Sequence, residues 1–122
     1  MQMMAMSSEE GELKGLGWIE ASVKKFNKEK LGDKNPLPHM GWNSVIQTPN
    51  NFLFKNIDPS ARFYFLHSYY FKSQHKKNSI ALAMYGDLFS CAISKNNIYG
   101  VQFHPEKSHQ NGIQLLKNFS NL

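Results

Sequence analysis

Only one cysteine, Cys91, occurs among the 122 residues. A lone thiol closes no internal disulfide, so a reducing cytoplasm is the expected setting. No apolar run approaches the roughly 20 residues of a membrane-spanning helix. Met1 to Met6 is apolar but short, and Ser7-Ser8-Glu9-Glu10 follows at once. A signal peptide would need a charged start and a longer apolar stretch. Acidic residues are scarce, 9 against 14 lysines and arginines, which leaves a net charge of +5. The surplus gathers at Lys24, Lys25, Lys28 and Lys30, and at Lys72, Lys76 and Lys77 beside His75. Nucleic acid or an acidic partner would account for it. Neither cluster forms a recognised nucleic-acid module, so two solvated loops are expected. Repeats and low-complexity tracts are absent. What remains is a chain with 41% hydrophobic residues, enough for a core and too high for a disordered segment. Its length suits one domain or a piece of one.

The stretch Gly100 to Ser108, Gly-Val-Gln-Phe-His-Pro-Glu-Lys-Ser, carries the densest chemistry. It reads as a short apolar strand that ends in an imidazole and a carboxylate. Side chains alternate along an extended chain, so His104 and Glu106 point the same way. Pro105 between them fixes its own φ and biases His104 towards an extended backbone. A carboxylate that accepts a proton from one imidazole nitrogen sets the tautomer and frees the other nitrogen as a base. Such a pair needs a nucleophile. Cys91 lies in Leu88-Phe89-Ser90-Cys91-Ala92-Ile93, without the flanking glycines of a nucleophile elbow. It is expected to be a buried small hydrophobe.

The remaining pattern is mixed. Met1 to Met6 is helix-permissive. Ile19, Ala21 and Val23 alternate with polar residues, which predicts a strand within Trp18 to Phe26. Asn27 to Asn35 and Asn50 to Ser60 read as loops. Pro36 and Pro38 exclude a central helix or central strand in the segment Pro36 to Asn43. Arg62 to Phe71 is aromatic-rich and strand-like. Ser79 to Tyr85 and Leu88 to Ser94 predict two strands joined at Gly86-Asp87. Tyr99 to Phe103 predicts a further strand and Asn111 to Phe119 a closing helix. In that helix Ile113, Leu116 and Phe119 share one face, with Leu115 beside them, and that face is expected to pack on the sheet. His67 has no second His or Cys at ligand spacing, so a hydrogen-bonded structural role is expected and no metal site.

Gly100 to Ser108 resembles the C-terminal signature of class I glutamine amidotransferases, whose triad is Cys, His and Glu. With Lys107 in place, it is similar to the branch that forms the glutaminase subunit of imidazole glycerol phosphate synthase. Pro38-His39-Met40-Gly41-Trp42-Asn43 and His67-Ser68-Tyr69 resemble segments of the same branch. Met1-Gln2 looks like the end of the family's Gly-x-Cys-x-Gly-x-Gln motif. The resemblance therefore implies a partial amidotransferase domain over 1–122 that starts just after the nucleophile elbow. The implied fold is α/β and flavodoxin-like, a mixed sheet flanked by helices. The implied catalytic residues are His104, as base and acid, and Glu106, which orients it. Gln2, Ser68 and Tyr69 would hold glutamine. Lys107, Tyr64 and Trp42 would face the partner at the ammonia gate, although Trp42 could equally cover the sheet edge. The implied partner is a barrel-shaped cyclase subunit in a heterodimer that serves histidine synthesis. No cofactor, metal, nucleic acid or membrane enters that reading.

Three other readings remain open from the residues. An ammonia-supplying paralogue could serve sugar or surface-polysaccharide amidation. A non-catalytic module could retain only partner binding. A basic nucleic-acid-binding domain would leave His104-Pro105-Glu106 and the Pro38 to Trp42 string without a purpose.

Overall fold

Ser68 divides the aromatic segment that begins at Arg62, and the two halves enter different sheets. The computed structural model describes all 122 residues. Its strands, in chain order, are β1 (Ser7–Ser8), β2 (Ala21–Lys25), β3 (His39–Ser44), β4 (Ile46–Gln47), β5 (Arg62–His67), β6 (Tyr69–Ser73), β7 (Ser79–Tyr85), β8 (Asp87–Lys95) and β9 (Ile98–Val101). The helices are the single turn α1 (Lys28–Leu31) and the closing α2 (His109–Phe119). Seven strands make one mixed sheet in the order β1-β2-β6-β8-β7-β4, with β9 also on β8. Only β1 and β2 run parallel. β3 and β5 form a separate antiparallel pair.

Most expected elements are present, and the departures have local causes. The N-terminal stretch is a 3₁₀ turn, Gln2–Met4, after which Ala5 is extended. The predicted strand from Trp18 shortens to Ala21–Lys25, but Ile19, Ala21 and Val23 are all buried as the alternation requires. The loop after Phe26 holds one helical turn, because the Asn27 side chain caps it by accepting from the Glu29 amide. The loop at Asn50 to Ser60 likewise holds a 3₁₀ turn, Phe52–Phe54, capped by Asn51.

The Pro36 to Asn43 segment does become a strand from His39 onward, in a two-stranded ladder. Pairing starts at His39, directly after Pro38, and its partner is His67. The ladder therefore ends where Ser68 leaves it. At Tyr69 the chain joins the large sheet opposite Lys25. The predicted β7–β8 hairpin forms at Gly86, whose φ of +69° and close approach to Lys30 and Leu31 require glycine.

Two apolar clusters fill the interior. The larger joins Phe63 and Phe65 of β5 to Ala81, Ala83, Phe89 and Cys91 of the hairpin. The smaller packs Ile19, Val23, Phe71 and Ile93 over the other end of the sheet.

The expected contact face of α2 is corrected. Ile113, Leu116 and Phe119 are 60%, 49% and 51% exposed, whereas Gly112, Leu115 and Asn118 are buried. Hydrophobic periodicity locates an apolar stripe, but two other residues choose the side. The Asn118 amide donates to the Leu53 carbonyl at 2.9 Å and to the Lys55 carbonyl at 2.7 Å. Gly112 lets the helix approach the Pro105 carbonyl so closely that a Cβ there would lie 1.8 Å from the oxygen.

That contact generates a prediction. Alanine ordinarily favours a helix over glycine by about 1 kcal/mol. Gly112→Ala should nonetheless lower the melting temperature, because the overpacking costs about 1–3 kcal/mol. A thermal melt followed by circular dichroism checks this.

Candidate functional site

The turn after β9 is built on the backbone of Tyr64. The His104 amide donates to the Tyr64 carbonyl at 2.9 Å. The Tyr64 amide donates to Ser108 Oγ at 3.0 Å, and that hydroxyl donates to the His104 carbonyl at 2.6 Å. Ser108 is 1% exposed. Pro105 to Lys107 form a 3₁₀ turn between these anchors. Within the turn His104 Nδ1 lies 2.8 Å from Glu106 Oε1. The carboxylate is held below its ordinary pKa, first by its own backbone amide and then by the imidazole. With Nδ1 donating to Glu106, the lone pair on Nε2 is available as a base.

Gln2, Ser68 and Tyr69 meet in one groove of about 320 Å³. His67, Gln102 and Leu66 complete most of its wall. Gln2 Nε2 donates to the Tyr69 carbonyl at 2.9 Å and to Gln102 Oε1 at 3.1 Å. Gln102 lies two residues before His104 in the chain, and the charge of His104 acts on His67. A larger concavity of about 640 Å³ lies among the loops between Gln47 and Pro59. Lys55 is its one titratable side chain, so it offers no acid–base pair.

Trp42, Tyr64 and Lys107 also come together, on the outer face of β3 and β5. Trp42 pairs with Tyr64 across the ladder. Their rings sit edge to face at 6.1 Å, and Lys107 Nζ lies 5.6 Å from the Tyr64 ring centre. Trp42 also stacks on His109 at 5.1 Å and remains 38% exposed.

Cys91 is fully buried within β8, and burial pushes its thiol pKa up. It is no nucleophile in this setting. The basic clusters are solvated and partly paired: Lys24 with Glu9, Lys30 with Asp87, and His75 with Glu20. No group of three His, Cys, Asp or Glu side chains is placed to hold a metal ion.

Three residues of this region escaped the sequence reading. Ser108 was legible only as a motif letter, and Gln102 carried no signal. His39 sits in the buried face of β3, where its Nδ1 lies 2.9 Å from His67 Nε2. Burial lowers the His39 pKa to about 3 and the His67 pKa to about 4.

The family described as class-I glutamine amidotransferase matches residues 1–121. The chain is 53% identical over its whole length to a protein of Leptospira borgpetersenii called imidazole glycerol phosphate synthase subunit HisH. It is 52% identical over its whole length to a protein of the same name from Bdellovibrio bacteriovorus. It spans 60% of the length of each. Among solved structures, a putative GMP synthase component from Thermoplasma acidophilum superposes with a TM-score of 0.63. That match covers 83% of this chain and 47% of the other at 21% identity, and it shows a shared fold.

The buried histidines predict a pH dependence. An unfolded chain protonates both near pH 6.5, whereas the folded chain resists until about pH 4 and below. Between these values the unfolded state holds more protons, so stability rises with pH and is lost on acidification from 6.5. The lowered carboxylates act below about pH 4.5, outside most of this window. The slope in urea unfolding should rise from about one proton at pH 6.5 towards about two protons near pH 5. His39→Leu should reduce it to about one.

Proposed function

The chain belongs to the class-I glutamine amidotransferase family, and we propose that it supplies the acid–base pair and part of the glutamine pocket of a glutaminase. The observation that carries this is the 2.8 Å contact of His104 with Glu106, on a turn that begins two residues after Gln102, which lines the groove of Gln2, Ser68 and Tyr69. His104 Nε2 removes the proton of a cysteine thiol presented by the rest of such a domain. The thiolate attacks the side-chain amide carbon of glutamine. His104 returns the proton to the leaving nitrogen, which departs as ammonia and leaves a thioester. His104 Nε2 then takes a proton from water, which attacks the thioester carbon; the C–S bond breaks, glutamate leaves and the proton passes to the cysteine sulfur. Glu106 keeps the imidazole in one tautomer and stabilises its charged form. The main chain at Ser68 and Tyr69, with Gln2, holds the amino-acid end of the substrate.

The ammonia acceptor proposed is a barrel-shaped cyclase subunit of imidazole glycerol phosphate synthase, in the synthesis of histidine. Identity above 50% to two proteins called HisH subunits supports this. Trp42, Tyr64 and Lys107 supply the face for that partner. Ring stacking, a cation over an aromatic face and partial exposure are properties of interface anchors.

The test is a hybrid in which these 122 residues replace the matching stretch of the Leptospira borgpetersenii protein. Ammonia release from glutamine is measured in the presence of that organism's partner subunit. His104→Ala should lower kcat by about 10²–10⁴-fold, Glu106→Gln by less, and Cys91→Ser not at all. A folded hybrid whose turnover ignores His104→Ala would overturn the proposal. The 122 residues alone should release no ammonia above the blank.

A further inference from the structure

His39 and His67 lie opposite one another on β3 and β5, and neither belongs to the acid–base pair. We propose that they are positioning residues: a one-way chain of hydrogen bonds runs through them from the Trp42-bearing strand to the Tyr69 carbonyl and holds the segment that binds glutamine. The substrate in that statement rests on the reading under Proposed function; the chain of bonds does not.

The direction follows from backbone partners at both ends. The Ser44 amide donates to Asn43 Oδ1 at 2.8 Å, and Asn43 Nδ2 donates to the Met84 carbonyl at 2.8 Å. The orientation of the Asn43 amide is thereby set. Its second N–H faces His39 Nε2 at 3.2 Å, so that nitrogen accepts and carries no proton. A neutral imidazole has one N–H, which places it on Nδ1 of His39, 2.9 Å from His67 Nε2. His67 Nε2 therefore accepts, and the His67 proton sits on Nδ1. From there it is donated to the Tyr69 carbonyl at 2.8 Å. That oxygen also accepts from Gln2 Nε2, so it is held from the core and from the groove.

An added proton would disrupt the chain wherever it went. On His39 Nε2 it would face the Asn43 N–H, and on His67 Nε2 it would face the His39 N–H. The surroundings favour neutrality as well. His39 stacks between Phe65 at 4.7 Å and Tyr85 at 3.9 Å. His67 lies against Phe26 and Phe89 at 5.4 and 5.2 Å. Among titratable groups, Tyr85 faces the pair with its hydroxyl donated to the Pro36 carbonyl, and His104 acts on His67 through its charge.

An apolar pair could fill the same volume, but it would leave the Tyr69 carbonyl with Gln2 alone. On β3, Trp42 lies between His39 and Asn43, its side chain on the opposite face. A displacement of Trp42 by a docked partner would therefore move both residues that begin the chain. The chain is the element through which the partner face and the substrate segment would be coupled.

Long-range ¹H–¹⁵N spectra of the 122-residue chain test this directly. At pH 6, His39 and His67 should both be neutral, each with its proton on Nδ1 and a bare Nε2. A protonated ring, or a proton on Nε2 of either, would overturn the proposal. His39→Leu should shift the Ser68 and Tyr69 amides and the Gln2 side-chain amide, and release His67 from its single tautomer. His39→Asn, which keeps a donor near the Nδ1 position, should restore them. A folded His39→Leu variant in which these signals and the His67 tautomer stay unchanged would overturn the positioning role. If His39→Leu does not fold, the tautomers of the parent chain decide. L-glutamine titrated into the hybrid reports separately on the substrate assignment, and its failure to bind would leave the tautomer result standing.

Discussion

Tyr64 turns both polar groups of its backbone towards the turn that carries His104. Its carbonyl accepts from the His104 amide and its amide donates to Ser108 Oγ, while the Ser108 hydroxyl donates back to the His104 carbonyl. The loop is thus closed on itself over the edge of β5. Removing the Ser108 hydroxyl would leave the half-buried Tyr64 N–H without its acceptor, at a cost of about 1 kcal/mol. The proposed acid–base pair depends on this closure, since it sets where Glu106 meets His104. Gly112 reinforces it from the other side by letting α2 touch the Pro105 carbonyl.

The β3–β5 ribbon serves two environments through strand alternation. Phe63, Phe65 and His67 face the core, with His39 opposite His67. Met40, Trp42, Tyr64 and Leu66 face outward, partly or largely exposed. A ribbon two strands wide has no third strand to stiffen it. Its rigidity comes from what its inner face touches, including the stacked rings around His39 and the Asn43 contact to Met84. The surface proposed for a partner and the wall behind the proposed substrate groove are therefore two sides of one thin element.

Much of this was legible in the residues. His104 and Glu106 do meet, as their spacing suggested, but across the 3₁₀ turn Pro105–Lys107 and not by alternation along a strand, which ends at Val101. The β7–β8 hairpin and the burial of Ile19, Ala21 and Val23 follow from local pattern alone. The α2 face did not, because it was chosen by Asn118 reaching distant carbonyls and by an absent Cβ at Gly112. Neither leaves a mark in hydrophobic periodicity. The break at Ser68 was hidden for a similar reason. Arg62 to Phe71 is uniformly β-prone, and the first strand ends only where its partner strand begins, at His39 opposite His67. The His39–His67 contact was equally out of reach, since it depends on the register of two strands.

Amide hydrogen exchange at Tyr64 and His104 tests the closed turn most directly. Exchange reports local opening, and the two acceptors are the Ser108 hydroxyl and the outward-facing Tyr64 carbonyl rather than ladder partners on a neighbouring strand. The anchored turn predicts that both exchange as slowly as the interior amides of β8, and that Ser108→Ala speeds both together. Rapid exchange at either amide in the unaltered chain, with β8 still protected, would contradict it. His104 would then sit on a mobile loop, with no fixed relation to Glu106 or to the groove of Gln2 and Tyr69.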